Sequence, residues 1–135
     1  MESILFDEVL FYDTLKTGIT VSVILNFGEE LVDFEAKVDT GASFCIFERK
    51  HAERLDLEVE DGEEISISTA TNRFLAYKHE LRMTVMNIET VSTVCFAKEE
   101  SFTRNVLGRQ GWLDRVKLGL IDYEGKLFLS EYNQE

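Results

Sequence analysis

The chain has no proline, no glycine- or serine-rich stretch, and only two histidines and two cysteines in 135 residues. Each shortage excludes something. Without proline or a flexible polar linker there is no natural place to cut the chain, and no internal repeat is visible, so residues 1–135 read as a single domain. Two histidines without paired cysteines or HxxxH spacing do not make a zinc site, and no metal is expected. Cysteine catalysis needs a histidine base, but His51 and His79 lie in charged contexts that read as exposed. Cys45 and Cys95 sit in apolar runs, where a thiol packs as a small hydrophobe. Long apolar runs are also missing. The first one breaks at Asp7 and Glu8 and has no basic residues before it, so neither a secretory signal nor a membrane span is expected, and the expected location is the cytoplasm. Positive charge is scarce: 14 Lys and Arg against 26 Asp and Glu leave a net charge of −12, which opposes binding to phosphate backbones. Nucleic acid is not an expected partner. The negative charge itself fits either simple solubility or attraction for basic partners.

What is present is enough for a core, with 44% hydrophobic and 11% aromatic residues. Period-two alternation dominates. Val21, Val23, Leu25 and Phe27 share one face of a strand, and after the turn at Gly28, Val32, Phe34, Ala36 and Val38 repeat the pattern, which predicts a hairpin buried on one side. A second hairpin is read from Ile65–Ser68 and Leu81–Val85, with the polar stretch 69–73 as its projecting tip, and Val91–Phe96 is a further strand. Glu48–Leu55 reads as a short helical surface connector, and Gly108–Val116 as a second short helix. Leu118–Ile121 and Leu127–Leu129 flank a turn at 122–125. The predicted class is all-β, with one or two short helices.

The chemistry concentrates at Asp39-Thr40-Gly41-Ala42-Ser43, where the second strand runs straight into a glycine-containing loop. Such a carboxylate is both fixed and accessible. One carboxylate alone is a poor catalyst of amide hydrolysis, whereas two in contact cannot both ionise, so that one serves as acid and the other as base. Asp-Thr-Gly occurs once, and the only near-repeat, Lys16-Thr17-Gly18, has lysine in place of the acid. Any partner carboxylate must come from elsewhere. A glycine two residues after Asp39 avoids a Cβ that would crowd the loop and anything bound beside it.

Sixty-seven residues after Asp39 comes Val106-Leu107-Gly108-Arg109, preceded by Arg104-Asn105. With the Asp-Thr-Gly loop, this order and spacing resemble the retropepsins, the single-domain aspartic proteases of retroviruses and their cellular and bacterial relatives. The resemblance implies a retropepsin-like acid-protease β-barrel and a homodimeric endopeptidase without cofactor or metal. In it a water held between two Asp39 carboxyls attacks the peptide bond of a peptide or protein substrate. It implies that Thr40 locks the two catalytic loops across the dimer axis and that Gly41 lets the substrate backbone approach. Ala42 and Ser43 would continue the substrate-binding loop, while Val106, Leu107 and Gly108 support it from below. Arg109 resembles an arginine that steadies the dimer, although an ordinary surface ion pair explains it equally well. The hairpin tip Thr69-Ala70-Thr71-Asn72 falls where retropepsins carry their flap. It departs from the retroviral pattern in having no glycine, leaving Asn72 as the expected positive-φ residue, and a plain structural hairpin stays open as a reading. The stretches Ile4–Tyr12 and Leu127–Tyr132 also differ from short retroviral termini, so the dimer sheet is expected to be built differently or blocked. Two other functions remain open: a non-catalytic retropepsin-like module that binds peptides or proteins, and a structural β-fold whose Asp39 caps a turn.

Overall fold

A computed structural model describes residues 1–132. The alternating segments form the expected hairpin: β2 (Thr20–Phe27) pairs antiparallel with β3 (Glu30–Val38), following β1 (Glu8–Phe11). Val21, Val23, Leu25, Val32 and Ala36 are buried on its inner face. Phe27, expected on that face, is 40% exposed because it lies in the last pair before the turn, beyond the core. β4 (Ile46–Phe47) leads into helix α1 (Arg49–Arg54), and β5 (Glu63–Ser68) pairs with the first half of the 13-residue β6 (Arg73–Val85). β7 (Ile88–Ala97) returns along β6. The short β8 (Val106–Leu107) is followed by β9 (Val116–Ile121) and β10 (Lys126–Glu131).

The order β2-β3-β8-β4-β7-β6-β5, with β6 also pairing back to β2, closes a barrel that removes most free edges. A separate three-stranded sheet has the order β1-β10-β9. It pairs the two terminal segments within one chain, Val9 opposite Phe128 and Leu10 opposite Leu127. The barrel interior is filled by Trp112, Phe47, Phe96, Leu25, Leu55, Met83 and Leu107, all fully buried. Phe47 meets Phe34 edge-on at 4.9 Å. No helix among the described residues is long and apolar enough to cross a membrane.

Three expectations need correction. The segment 48–55 is not a surface connector. Helix α1 lays Ala52 and Leu55, both fully buried, on the core, and carries with them His51, which was read as exposed and is only 5% so. The His51 ring stacks on Phe34 at 3.9 Å. Neither ring nitrogen has a hydrogen-bond partner among the described residues, and Glu48 is 3.6 Å from Nε2. Burial holds the imidazole below its ordinary value of 6.5, against the pull of Glu48 and helped by Lys50 and Arg54. A base lowered in this way stays neutral in the folded chain while the unfolded chain protonates. The resulting stability is complete above pH 6.5 and is lost progressively as pH falls from there toward the lowered value.

The second correction concerns 108–116, which is no helix. Phe44 bridges Gln110 in strand fashion, Gly111 then turns the chain at φ 103°, and only the single 3₁₀ turn Leu113–Arg115 follows. A side chain at Gly111 would collide with the carbonyl of Thr93, so the sheet holds this segment too closely for a helix to start there. Third, among the described residues the left-handed non-glycine positions are Asp56, Met86 and Asn87, not Asn72. Met86 and Asn87 form the two-residue turn between β6 and β7, whose strand twist asks for positive φ at both positions.

Candidate active site

The position of Asp39 follows from the strand below it. β3 and β8 run parallel, with Lys37 opposite Val106 and Val38 opposite Leu107, and the register is extended by two bonds of 2.9 Å: Lys37 N–H donates to the Asn105 carbonyl and Asp39 N–H to that of Leu107. Leu107 is fully buried and Val106 nearly so. The Asp39 backbone is therefore clamped to the barrel while its residue stays exposed. Its Oδ1 accepts the Gly41 N–H at 2.9 Å, an Asx turn that fixes the carboxylate's orientation by a charge-assisted bond. A Cβ at Gly41 would lie 3.3 Å from that same Oδ1. Glycine here prevents crowding of the carboxylate itself.

The loop returns against Gly108. Arg109 N–H donates to the Ala42 carbonyl and Gln110 N–H to that of Ser43, both at 2.9 Å. Gly108 lies beneath the loop with no room for a side chain, since a Cβ would run into the Phe44 carbonyl and come within 2.8 Å of Ala42 O. Asn105 adds a second clamp that the sequence reading did not assign. Its Oδ1 accepts the Glu48 N–H at 3.0 Å and its Nδ2 donates to Glu48 Oε2 at 2.8 Å, tying the start of α1 to the strand under the loop.

Asp39, Gly41, Ala42 and Ser43 line one wall of a cleft of about 680 Å³; Ser66–Thr71 of the β5–β6 hairpin face them. Of the expected substrate-binding residues, Thr69, Ala70 and Thr71 are in this lining. Asn72 instead borders a neighbouring cavity of about 460 Å³ that shares Phe74 and Phe102 with the cleft. Thr40 is exposed but outside the lining. Val106 reaches the cleft, while Leu107 and Gly108 lie behind it. Arg109 is exposed and outside the lining, and among the described residues it makes no ion pair, so the surface-pair reading finds no support.

The sequence reading missed Phe44, Ile46, Phe102 and Arg104 as cleft residues; Phe74, beside the expected hairpin tip, lines the cleft as well. With Phe74 they come from three separate segments, 44–46, 74 and 102–104, and only the barrel brings them together. Phe74 and Phe102 pack at 4.8 Å, and Arg104 lies over Phe102 with its guanidinium 5.5 Å from the ring centre. The hairpin tip is closed without glycine. Thr69 N–H donates to the Asn72 carbonyl at 2.8 Å, Asn72 N–H donates to Thr69 Oγ1 at 3.1 Å, and Arg73 N–H donates to Asn72 Oδ1 at 2.8 Å. Cys45 and Cys95 are buried free thiols, pushed up by burial to about 12 and about 11, which leaves them protonated and unreactive at neutral pH.

Among solved structures, a retropepsin-like aspartic protease from Rickettsia conorii matches with a TM-score of 0.62 at 20% identity, over 83% of this chain and 88% of that one. EIAV protease, solved in complex with the inhibitor HBY-793, matches with a TM-score of 0.56 at 17% identity, over 74% of this chain and 88% of that one. The barrel is thus a retropepsin fold. No curated protein matches the chain. The family model described as aspartyl protease matches residues 21–110, which takes in both the Asp39 loop and the strand beneath it. The chain belongs to the aspartyl protease family.

Proposed function

We propose that the chain is an aspartic endopeptidase that works as a homodimer, each copy a single domain contributing Asp39. The observation that carries this reading is the carboxylate of Asp39, oriented by Gly41 N–H at the edge of a cleft roofed by a hairpin. Across a two-fold axis the two Asp39 carboxyls would share one proton. The ionised one takes a proton from a bound water, and the protonated one donates to the carbonyl oxygen of the scissile peptide as the water attacks. In this assembly Thr40 and Arg109, both exposed in the single chain, would meet their partners across the interface, with Val106, Leu107 and Gly108 holding the loop from behind. Ala42, Ser43 and the tip residues Thr69, Ala70, Thr71 and Asn72 would contact the peptide. Within one chain β1 pairs with β10, and the dimer we propose would keep this sheet within each copy.

Cleavage of a peptide library should pass through a maximum on the acid side of neutral, because only the singly protonated pair is active. The melting temperature must be followed in parallel, since neutral His51 makes the fold lose stability as pH falls below 6.5. A rate that stays flat from about pH 4 to 8 while the chain remains folded would contradict two coupled carboxyls. One observation favours a second reading. The glycine-free tip is pinned by the Thr69–Asn72 bonds, which suits a module that holds peptides or proteins without cutting them. Under that reading the library binds in the cleft and is recovered uncleaved at every pH.

A further inference from the structure

Among the described residues that line the Asp39 cleft, two side chains are ionisable: Asp39 itself and Arg104. The rest of the lining is apolar or carries neutral hydroxyls, as in Phe44, Ile46, Phe74 and Ser66. Arg104 is exposed, and among the described residues its guanidinium has no carboxylate partner, although acidic residues outnumber basic ones 26 to 14 in the chain. It lies instead over the face of Phe102, itself a wall of the cleft and packed against Phe74. An arginine resting on an aromatic face keeps its planar fork of donors free at the edge, which suits a planar carboxylate presented from the cleft.

We propose that Arg104 selects peptides carrying an aspartate or glutamate beside the cleaved bond, so that the cleft takes acidic substrates although the chain itself is strongly acidic. The proposal rests on the peptidase reading and narrows it to a substrate class. In a two-fold assembly each copy would present its own Arg104, one on either side of the cleaved bond, so acidic residues would be favoured on both sides. The pair would be partly exposed. Its contribution therefore lies between that of a surface ion pair and that of a desolvated one, corresponding to a glutamate-over-lysine preference of roughly threefold to thirtyfold in kcat/KM at low salt. Screening should reduce that preference as salt rises.

The test is a set of peptides identical except for Glu, Gln or Lys at each position flanking the cleaved bond, with the preference read as a ratio within one enzyme sample. A ratio does not depend on how much of a variant is folded. Wild type should prefer Glu over Lys, Arg104→Gln should bring the ratio close to one, and Arg104→Glu should invert it. Equal ratios in wild type and Arg104→Glu, with cleavage intact, would overturn the role of Arg104 and leave the peptidase reading standing. If no peptide is cut, binding of the same fluorescently labelled peptides decides. A Glu preference that inverts in Arg104→Glu supports the acidic-peptide site while removing the peptidase, and the absence of any charge preference in binding overturns the inference.

Discussion

Replacing Asp39 by asparagine should lower peptide cleavage by about 10³-fold or more, the range expected when a general acid–base group is removed from a site that depends on it. The fold should hardly notice. Asparagine keeps an Oδ1 that can accept the Gly41 N–H now made at 2.9 Å, and Asp39 is exposed, so no buried group loses a partner. A melting temperature within about 2 °C of wild type is expected, the consequence of less than about 0.5 kcal/mol in a chain of this size. Undiminished cleavage by purified Asp39→Asn would move the chemistry to another residue. Loss of cleavage together with a collapse in stability would mean that Asp39 serves the fold.

Gly108→Ala should do the opposite, acting first on stability. The new methyl group has nowhere to go, because the atoms it meets are the backbone carbonyls of Phe44 and Ala42 rather than the movable end of a side chain. Relieving the clash must push the Asp39 loop off β8, breaking the Arg109–Ala42 and Gln110–Ser43 bonds on which its shape depends. A cost of about 3 kcal/mol is expected, lowering the melting temperature by roughly 10 °C. Cleavage should also fall at temperatures where the variant is still folded. Gly28→Ala is the control: its new methyl meets nothing within 4 Å, so only the strain of φ 61° remains, about 1 kcal/mol. Equal melting of the two variants would show that the loop can shift away from Gly108 at little cost.

Much of this architecture is legible in the chain itself, for a physical reason. Val21, Val23 and Leu25, or Leu81 and Met83, alternate because one side of each strand is buried, and a one-residue slip would turn that side to water. The loop at Asp39 stands out because its aspartate and glycine are set by close approach. Legibility fails where burial comes from a distant partner. His51 sits between Glu48, Lys50 and Glu53, which reads as surface, and only the spacing of Ala52 and Leu55 hints at the side of α1 that meets Phe34. Trp112, Leu113 and Val116 have helical spacing, yet the Phe44–Gln110 bridge and Gly111 keep 108–112 close to the sheet. The far wall of the cleft was hidden for the same reason. Phe102 and Arg104 carry no local pattern, and they join Phe74 only once β6 and β7 are paired.

The central claim is that two chains share one active site, and subunit mixing tests it most directly. Wild-type chains would be incubated with a ninefold excess of Asp39→Asn chains long enough for subunits to exchange, and cleavage measured per wild-type chain. If both carboxyls are needed, only homodimers of wild type are active, and random pairing leaves about a tenth of the original activity per wild-type chain. Activity that stays strictly proportional to the wild-type chain present, however much mutant is added, would show that each chain works alone and would contradict the account.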